Sequence, residues 1–259
     1  MIATLRAIGA TMRAAFAEAI SNRSAFWSQV GAMILNDLGW VAFWVLFFNR
    51  VGRVRGWDSS RVLLLLAILA TSAGLVLGLL SNARRIGNMA ADGDLDAVLA
   101  LPVPPLAYLL VRRIDPVNLG DTIFGVILFL TLGTPTPARV TVFVAGTLAS
   151  AMVLTGFLVA SGSLAFFIGR SETSDVGLHA ILILASYPAD IFRGAPKLLL
   201  YTVVPAAFVS AVPTQLVDHF DPVDALLLGG VAGLAAALGW GTFTLGLRRY
   251  TSGAVWTRA

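Results

Sequence analysis

The chain has 259 residues, 58% of them hydrophobic and 12% charged, with a net charge of +4 and a mean hydropathy of +0.85. Soluble proteins carry about 25% charged residues, so half the usual surface charge is missing, and a polytopic membrane protein is the direct reading. Cysteine is absent, and the single lysine, Lys197, follows Ala195-Pro196 rather than a glycine-rich loop, which excludes disulfides, thiolate metal sites, cysteine nucleophiles and a Walker A phosphate loop.

The two histidines, His179 and His219, lack metal-ligand spacing. No catalytic residue, metal site or bound cofactor is expected on this chain, and nothing in it suggests a nucleic-acid partner. The start is not read as a secretory signal, because Arg6 and Arg13 interrupt it and no apolar core with a small-residue cleavage site follows. Ile2, Leu5, Ile8, Met12, Phe16 and Ile20 recur at helical spacing. They predict an amphipathic helix over 1–25 lying in the membrane interface. A soluble helix packed on another subunit fits that pattern nearly as well.

Six membrane spans are predicted, at 30–48, 62–80, 117–132, 140–168, 176–187 and 223–247. The second is free of charge, the fourth is long enough to tilt, and the fifth is short. The last is rich in Gly and Ala, as close helix packing in lipid prefers. Between the fifth and the last, the apolar stretch 198–212 is broken by Pro205 and followed by Pro213. Fifteen residues are few for a crossing and favour a re-entrant or interfacial hairpin within an outer loop over 190–222. A crossing there would make seven spans and put the C-terminus outside. With the N-terminus inside, eleven basic residues fall on the inner side and seven on the outer, together the 18 of the chain. That asymmetry puts both termini in the cytoplasm.

The topology makes 81–116 the largest inner loop. Asp92-Gly93-Asp94-Leu95-Asp96 opens a short helix over 95–101, and Pro102-Val103-Pro104-Pro105 stops it. The second span is expected to extend through Arg84-Arg85 and break at Gly93, with a returning helix over 106–113. Asp94 is placed to cap the short helix, while Asp92 and Asp96 add negative charge near the loop arginines. A locally capped turn without any partner fits these residues equally well.

Other residues carry lesser signals. Asp37 lies within the first span, where an unpaired carboxylate costs about 3 kcal/mol. It could attract a cationic substrate, with Trp40, Phe43 and Trp44 beside it as a candidate path. Pairing with an arginine of the N-terminal helix or inner loop is the favoured alternative. The tryptophans otherwise suit interfacial anchoring or packing. His219, between Asp218 and Asp221, reads as part of a solvated loop, and Ser171-Glu172-Thr173-Ser174-Asp175 as a helix cap or a second inner contact.

Taken in order, several of these pieces resemble a known family. They are the amphipathic start, Gly56-Trp57, Gly93-Asp94-Leu95-Asp96 leading through Leu99 and Leu101 to Pro102, and Tyr187-Pro188-Ala189-Asp190-Ile191-Phe192. Val204-Pro205, Pro213 and Leu247-Arg248-Arg249-Tyr250 with Ser252-Gly253 complete the set. The chain resembles the permease subunits of bacterial ABC exporters of the type-2 class, six-span membrane proteins encoded apart from their ATPase. The resemblance implies an all-α integral membrane protein forming a single permease domain over 1–259 in the bacterial inner membrane. It implies that 95–101 is a coupling helix seated on a cytosolic ABC ATPase, with Gly93, Asp94, Leu95, Asp96, Val98, Leu99, Leu101 and Pro102 as the coupling residues. A second permease, identical or paralogous, is implied as a partner. ATP and magnesium would sit on the ATPase subunits, and the cargo would be drug-like or amphipathic. Many relatives carry an arginine before the proline, where this chain has Ala100-Leu101. An ion-coupled secondary transporter is the rival reading. It needs an intramembrane relay of several ionisable residues, for which Asp37 and Asp121 are the loose candidates. A non-transporting membrane scaffold is a further alternative, whereas an intramembrane enzyme lacks a catalytic cluster.

Overall fold

The computed structural model describes residues 9–10, 12–14, 16–17, 23–169 and 172–250. Most of the expected N-terminal amphipathic helix, and Ser252-Gly253, lie outside the described residues. Those described are helical, with one isolated bridge and no strand among them.

The first long helix, α1, covers Arg23–Val51 and begins well before the expected 30. It ends at Gly52, whose φ of +73° carries the chain out of the helix. Val54 and Trp57 then exchange backbone hydrogen bonds of 2.9 Å each around Arg55-Gly56, both with positive φ. Two left-handed residues in a two-residue loop form the turn that lets a chain reverse tightly. The reversal buries Trp57 completely.

Helix α2 (Ser59–Leu79) follows, capped by Asp58, whose side chain accepts from the Arg61 amide at 3.1 Å. That bond, supported by Arg53, holds the Asp58 carboxyl below its usual pKa. The uninterrupted apolar run of α2 becomes the axis of the bundle: 83% of its apolar window is buried, against 6% for Phe26–Val51 in α1. A helix apolar all round must be enclosed by protein or lipid. Here α2 takes the protein and α1 faces outward.

The chain continues through a 3₁₀ turn (Ser81–Arg85), α3 (Ile86–Asp92), α4 (Asp96–Leu99) and α5 (Pro105–Val111). Helix α6 is Leu119–Leu132, and α7 is Pro137–Ser163, extended by α8 (Ala165–Ile168). Helix α9 is Thr173–Ala185. Three short helices come next: α10 (Ala195–Tyr201), α11 (Ala206–Val209) and α12 (Ala211–Asp218). Helix α13 (Pro222–Leu247) completes the described chain.

Among the described residues, four helices are long and apolar enough to cross a membrane: Phe26–Val51, Ser59–Leu79, Pro137–Ile168 and Pro222–Leu247. The expected spans at 117–132 and 176–187 appear as α6 and α9, of 14 and 13 residues. At 1.5 Å per residue each is about 20 Å long, short of a hydrocarbon core about 30 Å thick. None of α10 to α12 exceeds eight residues. Their backbone is tied inside the bundle, with Ser210 Oγ donating to the Ala185 carbonyl at 2.6 Å and Ser150 Oγ to that of Phe208 at 3.4 Å. Irregular backbone at membrane depth needs such internal partners.

Small residues set the helix spacing. A Cβ at Gly239 of α13 would stand 2.8 Å from the Gly156 carbonyl of α7, and one at Gly156 would collide with the Ala235 carbonyl. The two backbones touch there, as the Gly and Ala content of the last span predicts.

Candidate functional site

The loop 81–116 is built on a separate apolar cluster at the α2 C-terminal end of the bundle. Ile86, Met89, Leu95, Val98, Leu106 and Leu109 pack with Val159 of α7 and Phe243 of α13. Gly93 closes α3 in the left-handed region (φ +82°), and the Met89 carbonyl accepts from the amides of Gly93 and Asp94. Glycine suits this conformation because other side chains crowd the following backbone.

Several expectations change here. The second span does not extend through Arg84-Arg85; its helix stops at Leu79 and a 3₁₀ turn intervenes. The helix expected over 95–101 is a single α turn, Asp96–Leu99, because Gly93 delays its start and the prolines beyond Leu101 cut it short. Asp94 does not cap it: Leu95 holds the cap position without a side-chain bond, and Asp94 lines an adjacent cleft instead. Leu95 and Val98, expected on a partner surface, are each only 1% exposed within the chain's own cluster. Leu99 and Leu101 are 41% and 40% exposed. With Ala97, Ala100 and Pro102 they form an exposed apolar tip. Ala97 and Ala100 escaped the sequence reading because alanine is equally at home inside or outside.

Side-chain bonds fasten the loop to the spans. Ser81 Oγ donates to the Arg113 carbonyl at 2.7 Å, Asn82 Nδ2 to that of Leu109 at 2.8 Å, and Arg84 pairs with Asp115 at 3.4 Å. Ser174, read as part of a helix cap, instead accepts from the Gly87 amide at 3.0 Å, joining α9 to α3.

A second feature lies among the spans. Asp37 of α1 and Asp121 of α6 meet side chain to side chain, with Asn36 also in contact with Asp37. They share a cavity of about 230 Å³ with Trp40, Phe124 and Ser186. The favoured pairing of Asp37 with an arginine is absent among the described residues, because α6 brings a second carboxyl to the place instead. Of the expected path residues, Asp37 and Trp40 line this cavity. Phe43 lines a shallower groove with Trp40 and Tyr187. Trp44 is 2% exposed and stacks on Phe48 at 5.7 Å, a packing residue.

The opposite end of α2 carries a polar network that sequence reasoning missed. Asp190 accepts from Lys197 Nζ at 2.8 Å, Gln215 Nε2 at 3.0 Å and Trp57 Nε1 at 3.2 Å. Burial works to raise its pKa, and the bonds from Lys197 and Trp57 overcome this and hold it below the usual aspartate value. Arg55 donates to the backbone carbonyls of Asp190 and Ile191. Asp218 takes Arg61 at 2.8 Å and Arg139 at 3.2 Å. Its neighbour His219 is exposed, as a solvated loop predicts. Asp190 had a signal, its place in the Tyr187–Phe192 string, whereas Asp218 had only an unspecific acidic cluster.

A family model described as ABC-2 family transporter protein matches residues 34–254. No curated protein and no solved structure matches the chain. The match runs from within α1 to just beyond α13 and takes in the loop, the acidic cavity and the polar network. The chain belongs to the ABC-2 transporter family, as a helical membrane permease of an ABC transporter.

Proposed function

We propose that this chain is the transmembrane permease of an ATP-driven exporter, working with a separate cytosolic ATPase and a second permease. The observation that carries this reading is the apolar tip of Ala97, Leu99, Ala100, Leu101 and Pro102, raised on a buried base. An exposed apolar cluster rimmed by charge marks a protein or membrane contact, and a place on an inner loop favours a protein. Its base reaches α3, α7 and α13, so a push on the tip is passed to long helices rather than absorbed in a floppy loop. Leu99 and Leu101 would be the contact residues and Leu95 and Val98 their support. ATP and magnesium belong to the partner, since this chain has no phosphate loop. The cavity at Asp37 and Asp121, with Trp40 on its wall, is a candidate stretch of the path for a drug-like or amphipathic cargo leaving across the bacterial inner membrane.

The test is co-purification with an ABC ATPase, followed by ATP-driven transport in vesicles. The double variant L99E/L101E should insert normally and lose transport by about tenfold or more, equivalent to about 1.4 kcal/mol lost at the contact. Full efflux by the purified permease without any ATPase would overturn the reading. The meeting of Asp37 with Asp121 favours a second reading, ion-coupled transport through a carboxyl pair. Transport that follows an imposed proton gradient without ATP, and is abolished by D121N, would select it.

A further inference from the structure

Resting on the inner-side placement of loop 81–116, we propose that the cleft beside α4 binds the phosphate headgroup of an anionic phospholipid. The cleft has a volume of about 730 Å³, and Arg85, Arg112 and Arg113 all line it, together with Asn82, Asp94 and Asp96. These arginines come from two segments, one after α2 and one after α5. The segments are locked together by Ser81 on the Arg113 carbonyl, Asn82 on the Leu109 carbonyl and Arg84 on Asp115. The site is therefore held open by bonds that leave its own cations unused.

Arg84 is consumed by Asp115, whereas the guanidiniums of Arg85, Arg112 and Arg113 meet no hydrogen-bond or ion-pair partner among the described residues. Asp94 and Asp96 share the cleft, and Asp96 lies beside the Tyr250 hydroxyl. Guanidinium forks match phosphate oxygens in pairs, which makes arginine the residue suited to this anion. Position selects the source of the phosphate. Arg85 follows the end of α2 at Leu79 by six residues, and Arg113 precedes the start of α6 at Leu119 by six. Basic pockets at cytoplasmic span ends lie at the depth of the headgroups. Buried Met89 and Ile114 give the same cleft an apolar wall.

Native mass spectrometry of the full-length permease in detergent tests this, with phosphatidylglycerol or cardiolipin as probe, phosphatidylcholine as neutral reference and inorganic phosphate as competitor. The anionic lipid should bind preferentially, and each arginine neutralised should weaken it about fivefold. R85Q/R112Q/R113Q should then lose about 100-fold. R85K/R112K/R113K should keep most of the preference, which separates charge from misfolding, and R53Q at the opposite end should change nothing. Equal binding of phosphatidylcholine, or a preference that survives in the triple Gln variant, would overturn the proposal. So would displacement by equimolar inorganic phosphate, which would make free phosphate the ligand, or by an added ATPase subunit, which would make the cleft a protein contact. The readout uses the permease without ATP, so a missing ATPase would sink the exporter reading while leaving this result standing.

Discussion

The two ends of α2 are built on opposite principles. At the Arg61 end, polar and charged side chains from several segments converge on two carboxylates, Asp190 and Asp218, and each acceptor is matched with several donors. At the Leu79 end, a buried apolar cluster with three side-chain bonds does the holding, while other charges and an apolar tip are left facing outward. A cross-braced end spends most of its polar groups on its own contacts and keeps few to offer. An end held by a hidden apolar base can leave its outer surface for something else. The difference explains why a partner is sought at loop 81–116 and not at the Asp190 network.

The largest expected effect comes from undoing the hidden base. Leu95→Ala should destabilise the detergent-solubilised protein by about 2–5 kcal/mol, the cost of truncating a buried leucine, read as a fall in thermal midpoint. An unchanged midpoint would mean that the loop does not depend on its cluster. Next is the cross-brace. Asp190→Ala strands Lys197, Trp57 and Gln215 and should cost about 1–3 kcal/mol.

The same network has a pH signature. The folded Asp190 pKa lies below its usual 3.8, so its contribution is complete above that value and is lost as pH falls through the folded one. Acid unfolding of wild type should therefore be steeper than that of Asp190→Asn. Matching acid limbs would remove Asp190 from the network's energetics.

The smallest effect on stability is expected at the tip. Leu99→Ser should shift unfolding by no more than about 0.5 kcal/mol, as exposed substitutions do, while lowering ATP-driven transport. A large stability loss there would make Leu99 part of the packing and blur the contrast between base and tip.

Much of the scaffold was legible beforehand. The charge-free run at 62–80 predicts α2 to within a few residues, and Gly93 and Pro102 mark real breaks in the loop. The contacts were not legible. Helical spacing groups Leu95, Val98 and Leu99 as one apolar set, yet a single turn points the first two inward and the third out. Nothing local tells Asp37 that Asp121, on another helix, will meet it.

Composition and apolar run length by themselves determined that this chain is helical and lives in membrane, because burial of backbone and of apolar surface are local demands of lipid. The order of its motifs pointed to the ABC-2 family. Only tertiary structure decided which carboxylates meet which donors, as with Trp57 and Asp190, 133 residues apart, or Arg61 and Asp218, 157 apart. It also decided which face of the loop is core and which is free. Those outcomes depend on how helices cross, and the crossings are set by close approaches such as Gly156 against Gly239 that no single segment contains.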